Sequence, residues 1–124
     1  MSEPITVLVV DDDPACLELV ERGLGGFGFE ITTSMSSLGV SNLIRTNKPQ
    51  IVLLDVNIPA LKGNALIEVA RRYAPKETKF VLFSASDEAS LRVLARECGA
   101  DGYITKSADI VTLADYLRAR LDGS

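Results

Sequence analysis

The chain has 124 residues, 47% of them hydrophobic and 24% charged, a balance that supports one folded domain with its own core and argues against disorder. A formal net charge of −4, with Lys and Arg scattered and never in long runs, disfavours a surface for nucleic acid or anionic membrane. Histidine is absent, which excludes histidine-based acid–base, metal-ligand or phosphohistidine chemistry within the chain itself.

The first predicted strand is ITVLVV, Ile5 to Val10, followed by Asp11, Asp12 and Asp13. Asp13 is placed to cap a helix that starts at Pro14, runs to Leu24 and ends in GLGGFG. A second strand covers Phe29 to Thr33. Ser36 to Arg45 reads as a second helix, although Gly39 and Ser41 interrupt it, and Pro49 punctuates the chain before a third strand, Ile51 to Leu54. Leu66, Val69, Ala70 and Tyr73 recur at helical spacing; so do Leu91, Leu94, Ala95 and Cys98, closed by Gly99, and Ile110, Leu113, Ala114 and Leu117. Between these helices lie the fourth and fifth strands, Phe80 to Phe83 and Gly102 to Thr105. Five strands alternating with five helices define an α/β, doubly wound (βα)5 fold with a parallel sheet and helices on both faces. ITVLVV, IVLL and FVLF are unbroken apolar runs suited to the centre of a sheet, whereas FEITT and GYIT tolerate polar residues and suit its edges. The expected order is the flavodoxin-like 2-1-3-4-5, in a single domain over residues 1–124 with a core of about 4–121.

No stretch approaches the roughly 20 apolar residues of a membrane span, and the amino terminus lacks the basic flank of a signal peptide. Cys16 and Cys98 have no CxxC or Cys/His spacing and read as small buried apolar groups in a reducing compartment. A cytoplasmic location is expected.

In the 2-1-3-4-5 order the switch point lies between the first and third strands, and ligands gather there beyond the carboxyl ends. Asp11 and Asp12 follow the first strand and Asp55 follows the third, so the three converge. Crowded carboxylates repel one another, and a divalent cation, Mg²⁺ foremost with Mn²⁺ as the other option, would offset that repulsion. Ser84 follows the fourth strand and Lys106 the fifth.

In these four segments, VVDDD, LLDVNIPALKG, FSAS and GADGYITK, the chain resembles the receiver domain of two-component response regulators, in the manner of the chemotaxis regulators, over its whole length. The resemblance implies that Asp55 accepts a phosphoryl group from a phosphohistidine on a sensor histidine kinase or phosphotransfer protein. It also implies that Mg²⁺ is held by Asp55, Asp12, Asp11 directly or through water, and the backbone carbonyl of Asn57. Lys106 would pair with the phosphoryl group, or with Asp55 at rest, and Ser84 would donate its hydroxyl, with Ala85 leaving room. Ser84 and Tyr103 would act as the switch, Tyr103 turning inward to reshape the face of the fourth helix, fifth strand and fifth helix that a downstream protein target reads. Such a domain is no enzyme beyond its own phosphorylation and dephosphorylation. Asn57 and Ser86 occupy positions that tune phosphoryl lifetime in the family, and Gly63 belongs to a turn. Two residues depart from the pattern: Ser107 stands where Pro is common, so a trans bond is expected after Lys106, and Lys62 stands where an acid is common.

Two other functions compete. A haloacid-dehalogenase-like phosphatase would use the DxD of Asp11 to Asp13, but Ala15 lacks the usual Thr or Val and the chain has no room for a cap. A receiver-like docking module would bind partners without taking phosphate.

Overall fold

The strands form where aliphatic and β-branched residues run without interruption. In a computed structural model, which describes residues 3–36, 39–56 and 65–122, β1 (Ile5–Val10), β2 (Phe29–Ser34), β3 (Ile51–Asp55), β4 (Lys79–Ser84) and β5 (Gly102–Thr105) alternate with five helices. These are α1 (Pro14–Gly25), α2 (Val40–Asn47), α3 (Ala65–Arg71), α4 (Glu88–Cys98) and α5 (Ile110–Asp122). All strand pairs are parallel, in the order β2-β1-β3-β4-β5. β3 is buried at every position, whereas in β2 only Phe29 is, the contrast expected between the centre of a sheet and its edge.

Period-two alternation divides the core between the two faces. Leu8, Val10, Val52, Leu54, Phe80 and Leu82 pack with residues of α2, α3 and α4. Val7, Val9, Ile51, Leu53, Val81 and Phe83 pack with residues of α1 and α5. α1 is capped as expected, with Asp13 Oδ1 accepting the Ala15 N–H at 3.0 Å, and α4 ends on Gly99 in the left-handed region at φ 74°.

Some boundaries differ from the sequence reading. The second helix runs from Val40 to Asn47 rather than from Ser36 to Arg45: Gly39 sits at φ 82°, which no helical turn can include, and α2 starts after it. In α3 the buried residues are Leu66, Ile67 and Ala70, while Val69 is exposed, because the short helix faces the sheet through the neighbouring stripe; Tyr73, also exposed, lies beyond the helix's end at Arg71. Cys98 is buried as expected, but Cys16 is only half-buried, for its turn of α1 lies over the open end of the sheet. β2, β3 and β4 each extend past their apolar runs because ladder pairing continues to Ser34, Asp55 and Ser84. The expected positions of Asn57, Lys62 and Gly63 lie outside the described residues.

Candidate functional site

Strand register assembles the site. Val10 pairs with Leu54, Asp55 with Phe83 and Ser84 with Thr105, so Asp11, Asp55, Ser84 and Lys106 meet at the carboxyl ends of four adjacent strands. Asp11, Asp12 and Asp55 each place a carboxylate oxygen within 4.8 Å of the others; Asp11 and Asp55 are 1% and 2% exposed, and Asp12 is exposed. At about 4 Å two such charges repel by roughly 1 kcal/mol in water and 4 kcal/mol at a surface-like dielectric.

Lys106 answers part of that repulsion. Its Nζ donates to Asp11 Oδ2 at 2.7 Å and stands 3.7 Å from Asp55 Oδ1. The expected approach to Asp55 is therefore present, but the direct hydrogen bond goes to Asp11. Asp11 Oδ1 also accepts the Asp13 N–H at 3.0 Å. Burial pushes the Asp11 carboxyl up; hydrogen bonds from Lys106 and the Asp13 amide, the neighbouring Cys16 thiol and the Lys106 charge outweigh it and hold the pKa below its ordinary value. For Lys106 burial works the other way, and the Asp11 hydrogen bond together with the Asp55 charge raises the ammonium above its ordinary range. The Cys16 thiol is pushed up to about 11, by burial first and then by the neighbouring Asp11 carboxylate, so it stays protonated near neutral pH. Cys16 was legible in the sequence only as an apolar helix residue; its one hint was a place in the first turn of α1, directly after the acids.

Ser84 is buried beside this cluster, and its Oγ is hydrogen-bonded to Ser86. The Lys106 N–H donates to the Ser84 carbonyl at 2.7 Å, tying the ends of β4 and β5 together. No cis peptide bond occurs among the described residues, so the bond after Lys106 is trans as expected, and the Thr105 and Ser107 hydroxyls share a hydrogen bond of 2.7 Å. Tyr103 is half-buried and lines an open groove of about 430 Å³ with Glu88, Thr112, Tyr116 and Arg120. The Tyr103 N–H donates to Tyr116 Oη at 2.8 Å.

Three carboxylates converging without a soft ligand among them form a hard-oxygen donor set, which suits Mg²⁺. The whole arrangement, acids on β1 and β3, hydroxyl on β4 and lysine after β5, coincides with a match to the response regulator receiver domain model over residues 7–118. The chain belongs to that family.

This receiver domain is 34% identical to the response regulator MprA of Mycobacterium sp. strain KMS over 120 residues, 95% of the chain and 51% of that protein. It is 35% identical to the transcriptional regulatory protein CseB of Streptomyces avermitilis over 122 residues, 98% of the chain and 51% of CseB. The chain spans about half the length of the curated relatives it matches. Among solved structures, the CheY-like receiver domain protein of Methanospirillum hungatei superposes with a TM-score of 0.82 at 25% identity, over 98% of this chain and 96% of that one. Receiver domains bind Mg²⁺ through an acidic pocket of this kind and interact with histidine kinases in two-component signalling. Among the described residues of this receiver domain, no helix is long and apolar enough to cross a membrane.

Proposed function

We propose that Asp55 is the phospho-acceptor of this receiver domain, and the observation that carries the reading is the convergence of Asp11, Asp12 and Lys106 on its carboxylate. One Asp55 oxygen forms the new bond to phosphorus as the phosphorus–nitrogen bond of a phosphohistidine breaks on a sensor histidine kinase or phosphotransfer protein. Phosphoryl transfer depends on positioning and charge, and the residues here supply both. Lys106, already 3.7 Å from Asp55, provides a cation for the incoming oxygens, and Ser84 provides a hydroxyl from the next strand. Mg²⁺, when bound, neutralises phosphoryl charge. Asp12 and Asp55 would hold it directly, with the Asn57 carbonyl. Both Asp11 oxygens already accept hydrogen bonds, which favours contact between Asp11 and the cation through water.

The protein acts on itself alone, catalysing its own phosphorylation and dephosphorylation. Phosphorylation adds charge and acceptors at Asp55, draws Ser84 and Lys106 inward, and lets Tyr103 turn, so that a downstream protein reads the α4–β5–α5 face. Contact with nucleic acid or membrane has no part in this. Cys16 and Cys98 are thiols outside any disulfide, which accords with the reducing cytoplasm.

The test is incubation with acetyl phosphate and Mg²⁺ followed by intact-mass measurement. The wild type gains one phosphoryl group and Asp55→Asn gains none. A wild type that stays unmodified by acetyl phosphate and by its cognate kinase would overturn the acceptor reading in favour of the docking module; turnover of a phosphatase substrate lost in Asp11→Asn but kept in Asp55→Asn would point to the phosphatase instead.

A further inference from the structure

The hydroxyl that must answer the phosphoryl group already has a partner. Ser84 Oγ, on a residue 1% exposed, donates to Ser86 Oγ at 3.0 Å and accepts the Ser86 N–H at 3.1 Å. The Ser84 backbone is held separately: it pairs with Thr105, and its carbonyl accepts the Lys106 N–H. Only the side chain is left free to move. Ser86 lies on the exposed loop between β4 and α4, and the next residue, Asp87, anchors that loop by accepting the Ser90 N–H at 2.9 Å and the Ser90 hydroxyl at 3.0 Å.

A serine hydroxyl carries one proton. While Ser84 spends it on Ser86, that proton cannot reach an oxygen at Asp55. We propose that Ser86 is a positioning residue that latches Ser84 in its resting rotamer, so that the switch consists of Ser84 exchanging the Ser86 oxygen for a phosphoryl oxygen. The proposal rests on Asp55 being the acceptor. The exchange has a defined direction, because a hydrogen bond to an anionic oxygen is about twice as strong as one to a neutral hydroxyl. The latch nevertheless stabilises the resting state by whatever the Ser84–Ser86 bond contributes, and the switching equilibrium shifts by that difference between the two states. Without Ser86 Oγ, the buried Ser84 proton has no partner at rest, and the resting state loses its advantage. This is a role in the unphosphorylated protein, distinct from any effect on phosphoryl lifetime.

The experiment titrates the full chain with beryllofluoride at saturating Mg²⁺, following the backbone amide resonances of Tyr103 and Lys106, for the wild type, Ser86→Ala, Ser86→Thr and Asp55→Asn. Ser86→Ala is expected to half-saturate at about threefold to tenfold less beryllofluoride than wild type, the range set by one neutral hydrogen bond. Its beryllofluoride-free amide shifts should already lie part-way toward the saturated wild-type positions. Ser86→Thr restores the hydroxyl and should titrate within about twofold of wild type. Mg²⁺ affinity measured alone should be the same in wild type, Ser86→Ala and Ser86→Thr. Wild-type behaviour in Ser86→Ala would overturn the latch, and so would weaker beryllofluoride binding, which would make Ser86 a direct contact of the phosphoryl mimic. A wild type that ignores beryllofluoride as Asp55→Asn does would overturn the acceptor reading and the latch with it.

Discussion

Asp11 and Lys106 show how far a site can depend on two residues that are 95 positions apart. Linkage gives their contributions opposite signs. Asp11 has a folded pKa below its ordinary 3.8, so its contribution is complete above that value and is lost as pH falls through the lower folded value. Lys106 has a folded pKa above its ordinary 10.5, so its contribution is complete below that value and is lost as pH rises through the higher one. In metal-free protein Lys106→Met should cost on the order of 2 kcal/mol near neutral pH, because it leaves the Asp11 carboxylate buried with less compensation. Urea unfolding across pH should show both limbs flattened in the variant; an acid limb as steep as the wild type's would show that this pair does not set it. The acids were legible as chemistry because three of them crowd the ends of two predicted strands. Lys106 was legible as the residue that follows the fifth strand, with its role given only by the resemblance, and Cys16 as a neighbour of Asp11 not at all, since a thiol on an amphipathic helix carries no mark of what it will face.

β5 is the edge strand beside the face expected to bind partners, and its shape is set from α5. Tyr116 Oη accepts the Tyr103 N–H, the Arg120 guanidinium lies 4.3 Å over the Tyr116 ring, and a Cβ on Gly102 would fall 2.5 Å from Tyr116 Oη. Gly102 is therefore required for the close approach of the phenol to the strand. Gly102→Ala should cost about 1–3 kcal/mol by displacing Tyr116. In a Tyr116→Phe background the same change should cost less by about 1 kcal/mol, as a thermal double-mutant cycle would show; strict additivity would mean that the two do not meet. Helix boundaries were harder to read than strands at this scale. Apolar runs mark a strand directly, whereas the start of α2 depends on Gly39 adopting φ 82°, a choice that glycine allows and does not force.

The acidic pocket joins two strands of one cooperative core, so a cation that binds there stabilises the whole molecule. Mg²⁺ at ten times its Kd should add about 1.4 kcal/mol to unfolding free energy, a rise of about 5 °C in Tm for a chain of this size. Asp12→Asn should abolish that rise while leaving the metal-free protein as stable as wild type or more stable by up to about 1 kcal/mol, since one of three like charges is gone. Differential scanning calorimetry with Mg²⁺ and with chelator would measure both, and an undiminished rise in the variant would remove Asp12 from the cation's ligands.

The five strands, their order, the convergence of Asp11, Asp12 and Asp55, and the Asp13 cap were all determined by the amino-acid sequence, because each follows from short-range pattern: apolar runs, strand-end acids and the residue before a helix. Tertiary structure alone decided that Lys106 bonds Asp11 before Asp55, that Ser86 holds the Ser84 hydroxyl and that Tyr116 caps β5. A hydroxyl or ammonium can bond any acceptor within about 3 Å, and which acceptor comes that close is fixed only when the loops and helices have packed against the finished sheet.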